Sequence, residues 1–233
     1  MKPYLAAVPI LALALAAPAT AAAATLAVAP VKACYRSGES FTMTGSGFTP
    51  GAPVNVAANN ATLTGSPLTA DAAGAIGSGL TLGQSRGQQQ KTLVATDATN
   101  PALTASVSLL VSAVTVNVNP RNGAAGRVVR VSAQGFTTGP RLYAHVSKRG
   151  RSTANFRVTH LEGACRKGSA KRRLFAADTP SGTYKVQFDT KRRRSSKTVV
   201  KSVYTVTIFP MAREGRASAA SNGGRRVVWT PAS

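Results

Sequence analysis

Few residues in this chain of 233 carry groups that could react or bind: two Cys, two His, seven Asp or Glu, and 29 Lys or Arg. Two cysteines would form a disulfide, Cys34–Cys165, if the chain is exported; the alternative is a pair of free thiols. His145 and His160 lie in separate stretches that read as strands. No cluster of Cys, His or acids has metal-ligand spacing, so no metal site is expected. Serine is abundant, but no G-x-S-x-G elbow occurs. Seven carboxylates leave little material for acid–base pairs. Asp189, closing Gln187-Phe188-Asp189, is expected to pair locally with Arg or Lys. Neither a catalytic residue nor a cofactor is expected.

The cations are the remaining chemistry. The formal net charge is +22, and it is unevenly distributed. Residues 1–120 hold five Lys or Arg and three acids, whereas residues 121–233 hold 24 and four. Three runs concentrate the excess: Arg166-Lys167, Lys171-Arg172-Arg173, and Lys191-Arg192-Arg193-Arg194 with Lys197. Such a surface attracts phosphate-bearing polymers, whether nucleic acid, wall teichoic acid or lipid headgroups, or an acidic protein surface. The bland alternative is a solvated, charged exterior with no dedicated ligand. Few aromatics interleave with the charges and no helical reading element is visible, so sequence-specific nucleic-acid recognition is not expected.

The elements that position these residues follow a duplicated plan. Gly47-Phe48-Thr49-Pro50-Gly51 returns 88 residues later as Gly135-Phe136-Thr137-Thr138-Gly139. Before each copy the apolar positions also correspond, Gly38-x-x-Phe41-x-Met43 against Gly126-x-x-Val129-x-Val131. Each copy reads as an alternating strand, a Gly/Pro turn, and a second strand. Phe48 and Phe136 are expected to plug the core behind their glycines. Strands are expected over 26–31, 39–47, 54–58, 61–68, 75–82, 92–96 and 105–111, with a polar loop over 84–90. In the second half they are expected over 114–118, 127–133, 142–146, 156–161, 171–175, 183–188 and 199–208. Seven short strands per half, with turns at regular spacing, are the mark of a β-sandwich.

Residues 1–24 read as a secretory signal peptide: Lys2, an apolar stretch from Leu5 to Ala17, then Ala-x-Ala cleavage options. No second apolar run of spanning length follows, so the mature protein is not expected to cross a membrane. Residues 210–233 are Ala, Ser, Gly and Arg with Trp229 and show no periodicity, and they are expected to form a disordered basic tail.

Gly45-x-Gly47-Phe48-x-Pro50-Gly51-x-x-Val54, then Thr69-Ala70-Asp71-Ala72-x-Gly74, Leu80-x-Leu82 and Thr92-Leu93-x-Ala95-Thr96-Asp97 resemble the immunoglobulin-like repeats of secreted actinobacterial proteins. The resemblance implies an extracellular setting, an all-β fold of two tandem immunoglobulin-like domains over 25–113 and 114–209, and no catalytic residues. The second half departs from it at Gly163 to Arg173, which replaces the Asp71-Ala72-Ala73-Gly74 turn. In this topology Cys34 lies where the chain leaves the first domain and Cys165 where it enters the second, so one bridge would clamp the junction. The Lys191–Lys197 loop falls at the same end, which suggests a single cationic patch beside the clamp. The resulting expectation is a secreted, non-enzymatic adhesion or scaffold protein of the cell envelope that binds anionic polymers. The alternative is an extracellular binding module for a protein or small ligand, with incidental charge.

Overall fold

The computed structural model describes residues 23–210 and 225–232; the signal-peptide assignment falls on residues outside these, apart from its last two. Every regular element described is a strand. The first half holds β1 (Thr25–Ala29), β2 (Tyr35–Arg36), β3 (Ser40–Ser46), β4 (Pro53–Ala58), β5 (Ala61–Thr62), β6 (Leu68–Thr69), β7 (Ile76–Thr81), β8 (Gln88–Asp97) and β9 (Thr104–Ser112). The second holds β10 (Thr115–Asn119), β11 (Asn122–Ala124), β12 (Val128–Gln134), β13 (Arg141–Lys148), β14 (Arg151–His160), β15 (Gly168–Arg173), β16 (Gly182–Asp189), β17 (Lys201–Pro210) and β18 (Arg225–Pro231). None of the described residues forms a helix long and apolar enough to cross a membrane.

The strands follow from side-chain alternation. In β3, Phe41 and Met43 are buried while Ser40, Thr42 and Thr44 face out. In β12, Val129, Val131 and Ala133 do the same. Period-2 patterning of this kind buries one face and wets the other. In the first half a sheet β1-β3-β7 faces a sheet β2-β9-β8-β4-β5, with β6 also on β4. They enclose a core of Met43, Val54, Val56, Leu80, Leu93 and Val111. In the second half β10-β12-β15 faces β11-β18-β17-β16-β13-β14 around Val131, Leu142, Val186, Phe188, Val206 and Ile208. Each such side chain contributes about 1.5–3 kcal/mol on burial. Apart from one inserted strand, β18, the strand order of one half thus repeats in the other. Gly47 and Gly135 hold equivalent positive-φ turns, at 84° and 80°, and Phe48 and Phe136 fill the core behind them.

Three expectations are corrected. Residues 225–231 are not a disordered tail but β18, hydrogen-bonded to β17 along one edge and β11 along the other. Val227 and Trp229 from this strand enter the core, where Trp229 meets Phe175 and Tyr204. In the first half β2 pairs directly with β9, in parallel. In the second, β18 stands between β11 and β17, antiparallel to both. The expected fourth strand over 61–68 is only the two short pieces β5 and β6. Gly65 takes a φ of 94° between them, and Pro67 has no N–H to give a ladder. Finally, Gln88–Gln90 belong to β8, since main-chain pairing with Leu110–Ser112 does not depend on apolar side chains.

Candidate anion-binding surfaces

Cys34 and Cys165 are joined, with their Cα atoms 5.2 Å apart, and both are buried. The bond ties the segment between β1 and β2 to the turn before β15. Beside it, within the second half, Gly135 N–H donates to the Cys165 carbonyl. The two halves meet closely here: a Cβ at Gly135 would lie 2.3 Å from the carbonyl oxygen of Ala113, at the end of the first half. Arg166 and Lys167 belong to this turn, which is closed by a bridge between Glu162 and Lys167.

The other cations lie elsewhere. Residues 190–200 leave β16 beside the Cys165 end, where the Thr190 and Thr138 hydroxyls are 2.7 Å apart. They then run over the solvent face of the β16-β13-β14 sheet. Arg194 Nη1 donates to the carbonyl of Gly150, in the hairpin at the far end of that sheet. The main chain of the segment thus reaches the level of His145, midway along β13, and the Arg194 side chain extends from there to the hairpin. Underneath it is a layer of polar residues that alternation turns away from the core: His145 on β13, and Gln187 and Asp189 on β16, all buried. His145 Nε2 lies 3.1 Å from Asp189 Oδ1. Gln187 Nε2 donates both to Asp189 Oδ2 and to the Ser195 carbonyl. The Lys191 N–H donates to Asp189 Oδ1, Asn155 Nδ2 to the Arg192 carbonyl, and Lys201 Nζ to the Ser196 carbonyl.

Burial by itself would push the Asp189 carboxyl up; hydrogen bonds from His145, Gln187 and the Lys191 N–H outweigh it and hold the group below the usual carboxylate range. Asp189 is thus an ionised acceptor whose partner is His145, not the Lys or Arg side chain expected from sequence. His145 Nδ1 is buried without a partner. This brace fixes the backbone of a segment that presents its cationic side chains to solvent. Lys191, Arg192, Arg193, Ser195, Lys197 and Thr198 line an open depression of about 350 Å³. Arg192, Arg193, Arg194 and both lysines are exposed.

Lys171 and Arg173 sit on a different surface. On β15, half-buried Ala170 is opposite core-facing Val131, so Lys171 and Arg173 project from the outer face of the β10-β12-β15 sheet, whereas exposed Arg172, opposite Val129, takes the other side of this edge strand. Arg130 of β12 is directly opposite Lys171, flanked on its other side by Asn119 of β10. The expected single patch is therefore corrected. The three runs occupy the junction turn, one outer face, and the opposite outer face of the same pair of sheets. Among the described residues, no Lys or Arg of the second half is ion-paired with a carboxylate; the acid-paired cations Lys32 and Arg36 are both in the first half, on Glu39. No group of three or more His, Cys, Asp or Glu there is placed to hold a metal.

No family model and no curated sequence matches the chain. Among solved structures, a Salmonella alpha-2-macroglobulin reacted with methylamine aligns over 82% of this chain and 16% of its own, at 12% identity and a TM-score of 0.30. The secreted serine protease VesC from Vibrio cholerae aligns over 85% and 48%, at 10% identity and a TM-score of 0.22. The chain thus spans less than half the length of either.

Proposed function

We propose that this is an exported, non-enzymatic protein of two tandem immunoglobulin-like sandwiches, the first over 25–113 and the second from 114 onward with β18 included. Its cationic second domain binds anionic polymers of the cell envelope, in an adhesive or scaffolding role. The repeated sheet order supports the tandem plan, and the buried Cys34–Cys165 bond fits an oxidising compartment. The observation that carries the binding role is the absence of ion pairing among the described cations of the second half. Twenty-four Lys and Arg against four acids leave a surface that repels itself. Arginine guanidinium groups, held by a braced backbone around a depression, match phosphate oxygens in fork geometry.

The test is a salt titration of the mature protein with long-chain inorganic polyphosphate. If the five cations of 191–197 each displace one counterion, log K should fall against log salt with a slope of about −3.5, a roughly hundredfold loss between 50 and 200 mM. Binding that does not weaken over that range would rule the reading out.

A further inference from the structure

Resting on the polyanion reading above, the geometry points to a bridging activity: the second domain holds two independent anion-binding faces, back to back, and joins two anionic chains through one folded unit. One face is the braced segment with Lys191, Arg192, Arg193, Arg194 and Lys197 over the β16-β13-β14 sheet. The other is flat and lies outside the β10-β12-β15 sheet, where Arg130, Lys171 and Arg173 project.

The placement follows from period-2 alternation about a shared core. Val129, Val131 and Ala133 of one sheet, and Ala144, Val146, Val186 and Phe188 of the other, point inward. Residues one position away on each strand point outward, in opposite directions. Facing sheets pack about 10 Å apart, and extended Lys or Arg side chains on both sides place the two charge layers roughly 20 Å from each other. That exceeds the Debye length of about 8 Å at physiological ionic strength, so a polyanion on one face does not repel a second on the other.

The flat face also has the chemistry of a binding surface. Arg130 and Lys171 stand directly opposite one another across the ladder, a like-charge pairing that destabilises a sheet. Arg173 follows Lys171 on the same side, and no carboxylate among the described residues neutralises any of the three. Beyond them Ser132 and Ser169 are 3.1 Å apart and Asn117 is opposite Ser132, adding hydroxyl and amide donors along the path. A phosphate chain laid across these strands would relieve the repulsion and find donors over its length.

The experiment separates binding from bridging. Full-length mature protein is added to beads carrying long-chain inorganic polyphosphate, with fluorescent polyphosphate free in solution, and both retained protein and recruited fluorescence are read. Three chains are compared: the unaltered protein, a variant with Lys191, Arg192, Arg193, Arg194 and Lys197 each replaced by Gln, and one with Arg130, Lys171 and Arg173 replaced by Gln. Buried-tryptophan emission checks that each is folded. The unaltered protein should bind the beads and recruit the free chain, with recruitment falling again at large protein excess. Each variant should still be retained by the beads but recruit at least tenfold less fluorescence. Retention without recruitment by the unaltered protein would overturn bridging and leave polyanion binding standing. Equal recruitment by either variant would overturn the two-face assignment. No retention at all would overturn the polyanion reading and the bridge with it.

Discussion

Replacing Trp229 by Ala tests whether residues 225–231 are structural. Trp229 is 5% exposed, with its ring 5.6 Å from Phe175 and 5.9 Å from Tyr204. A buried tryptophan removes about 150–250 Å² from water, worth roughly 4–6 kcal/mol at 25 cal/mol per Å². The whole amount will not be lost. A strand at the end of the described chain can detach rather than enclose a cavity, and detachment recovers backbone entropy of about 1–2 kcal/mol per residue. The loss is then capped by the net contribution of β18, and we expect about 2–4 kcal/mol. Urea melts followed by far-ultraviolet circular dichroism on the unaltered protein and on W229A measure it. Because Trp229 is the only tryptophan, its emission in the unaltered protein gives an independent reading, expected blue-shifted and resistant to iodide quenching. Emission typical of tryptophan in water, together with an unchanged melt for W229A, would refute the placement of β18 in the sheet.

Other outcomes follow from the same contacts. Non-reducing peptide mapping of secreted material should yield a Cys34–Cys165 peptide. Reduction should cost about 5 kcal/mol on the chain-entropy relation for a separation of 131 residues; two alkylated thiols would contradict this. Gly135→Ala should destabilise the junction by at least about 1 kcal/mol from its left-handed backbone alone, and further through the clash with Ala113, seen as a lower melting midpoint. Asp189 is held below its unfolded value of about 3.9, so the stability it adds is full above that pH and is lost as pH falls through the folded value. Asp97, which accepts N–H bonds from Thr49, Thr99 and Asn100, behaves in the same direction because those bonds outweigh its burial. Melts should therefore change little from pH 7 to 5 and drop below about pH 4, and D189N should start lower and lose less on acidification.

Local pattern carried a good part of this fold. Alternation in Phe41–Met43 and Val129–Val131 marks central strands, because one wet and one dry face leave little choice of register. The glycines at 47 and 135 mark turns that need positive φ. Two cysteines leave one intramolecular pairing. What escaped sequence reading is non-local. Val227-Val228-Trp229 has strong β-propensity, a signal that was available, but its burial depends on a gap between β11 and β17 that no local pattern reveals. The His145–Asp189 contact depends on the register of β13 against β16, which brings residues 44 apart onto one diagonal. The separation of the cationic runs onto two faces was partly legible. Lys171 and Arg173 are two apart and so share a face, whereas placing each loop at an end of the sandwich overlooked that a segment can lie along a sheet.

The most direct test of the central claim is retention of envelope polymer. Immobilised mature protein is incubated with a cell-envelope extract, washed, and assayed for bound organic phosphate, alongside the variant with Lys191, Arg192, Arg193, Arg194 and Lys197 changed to Gln. The account expects the unaltered protein to hold phosphate polymer that high salt releases, and the variant to hold several-fold less. Equal retention by both, or retention that high salt does not disturb, would contradict it.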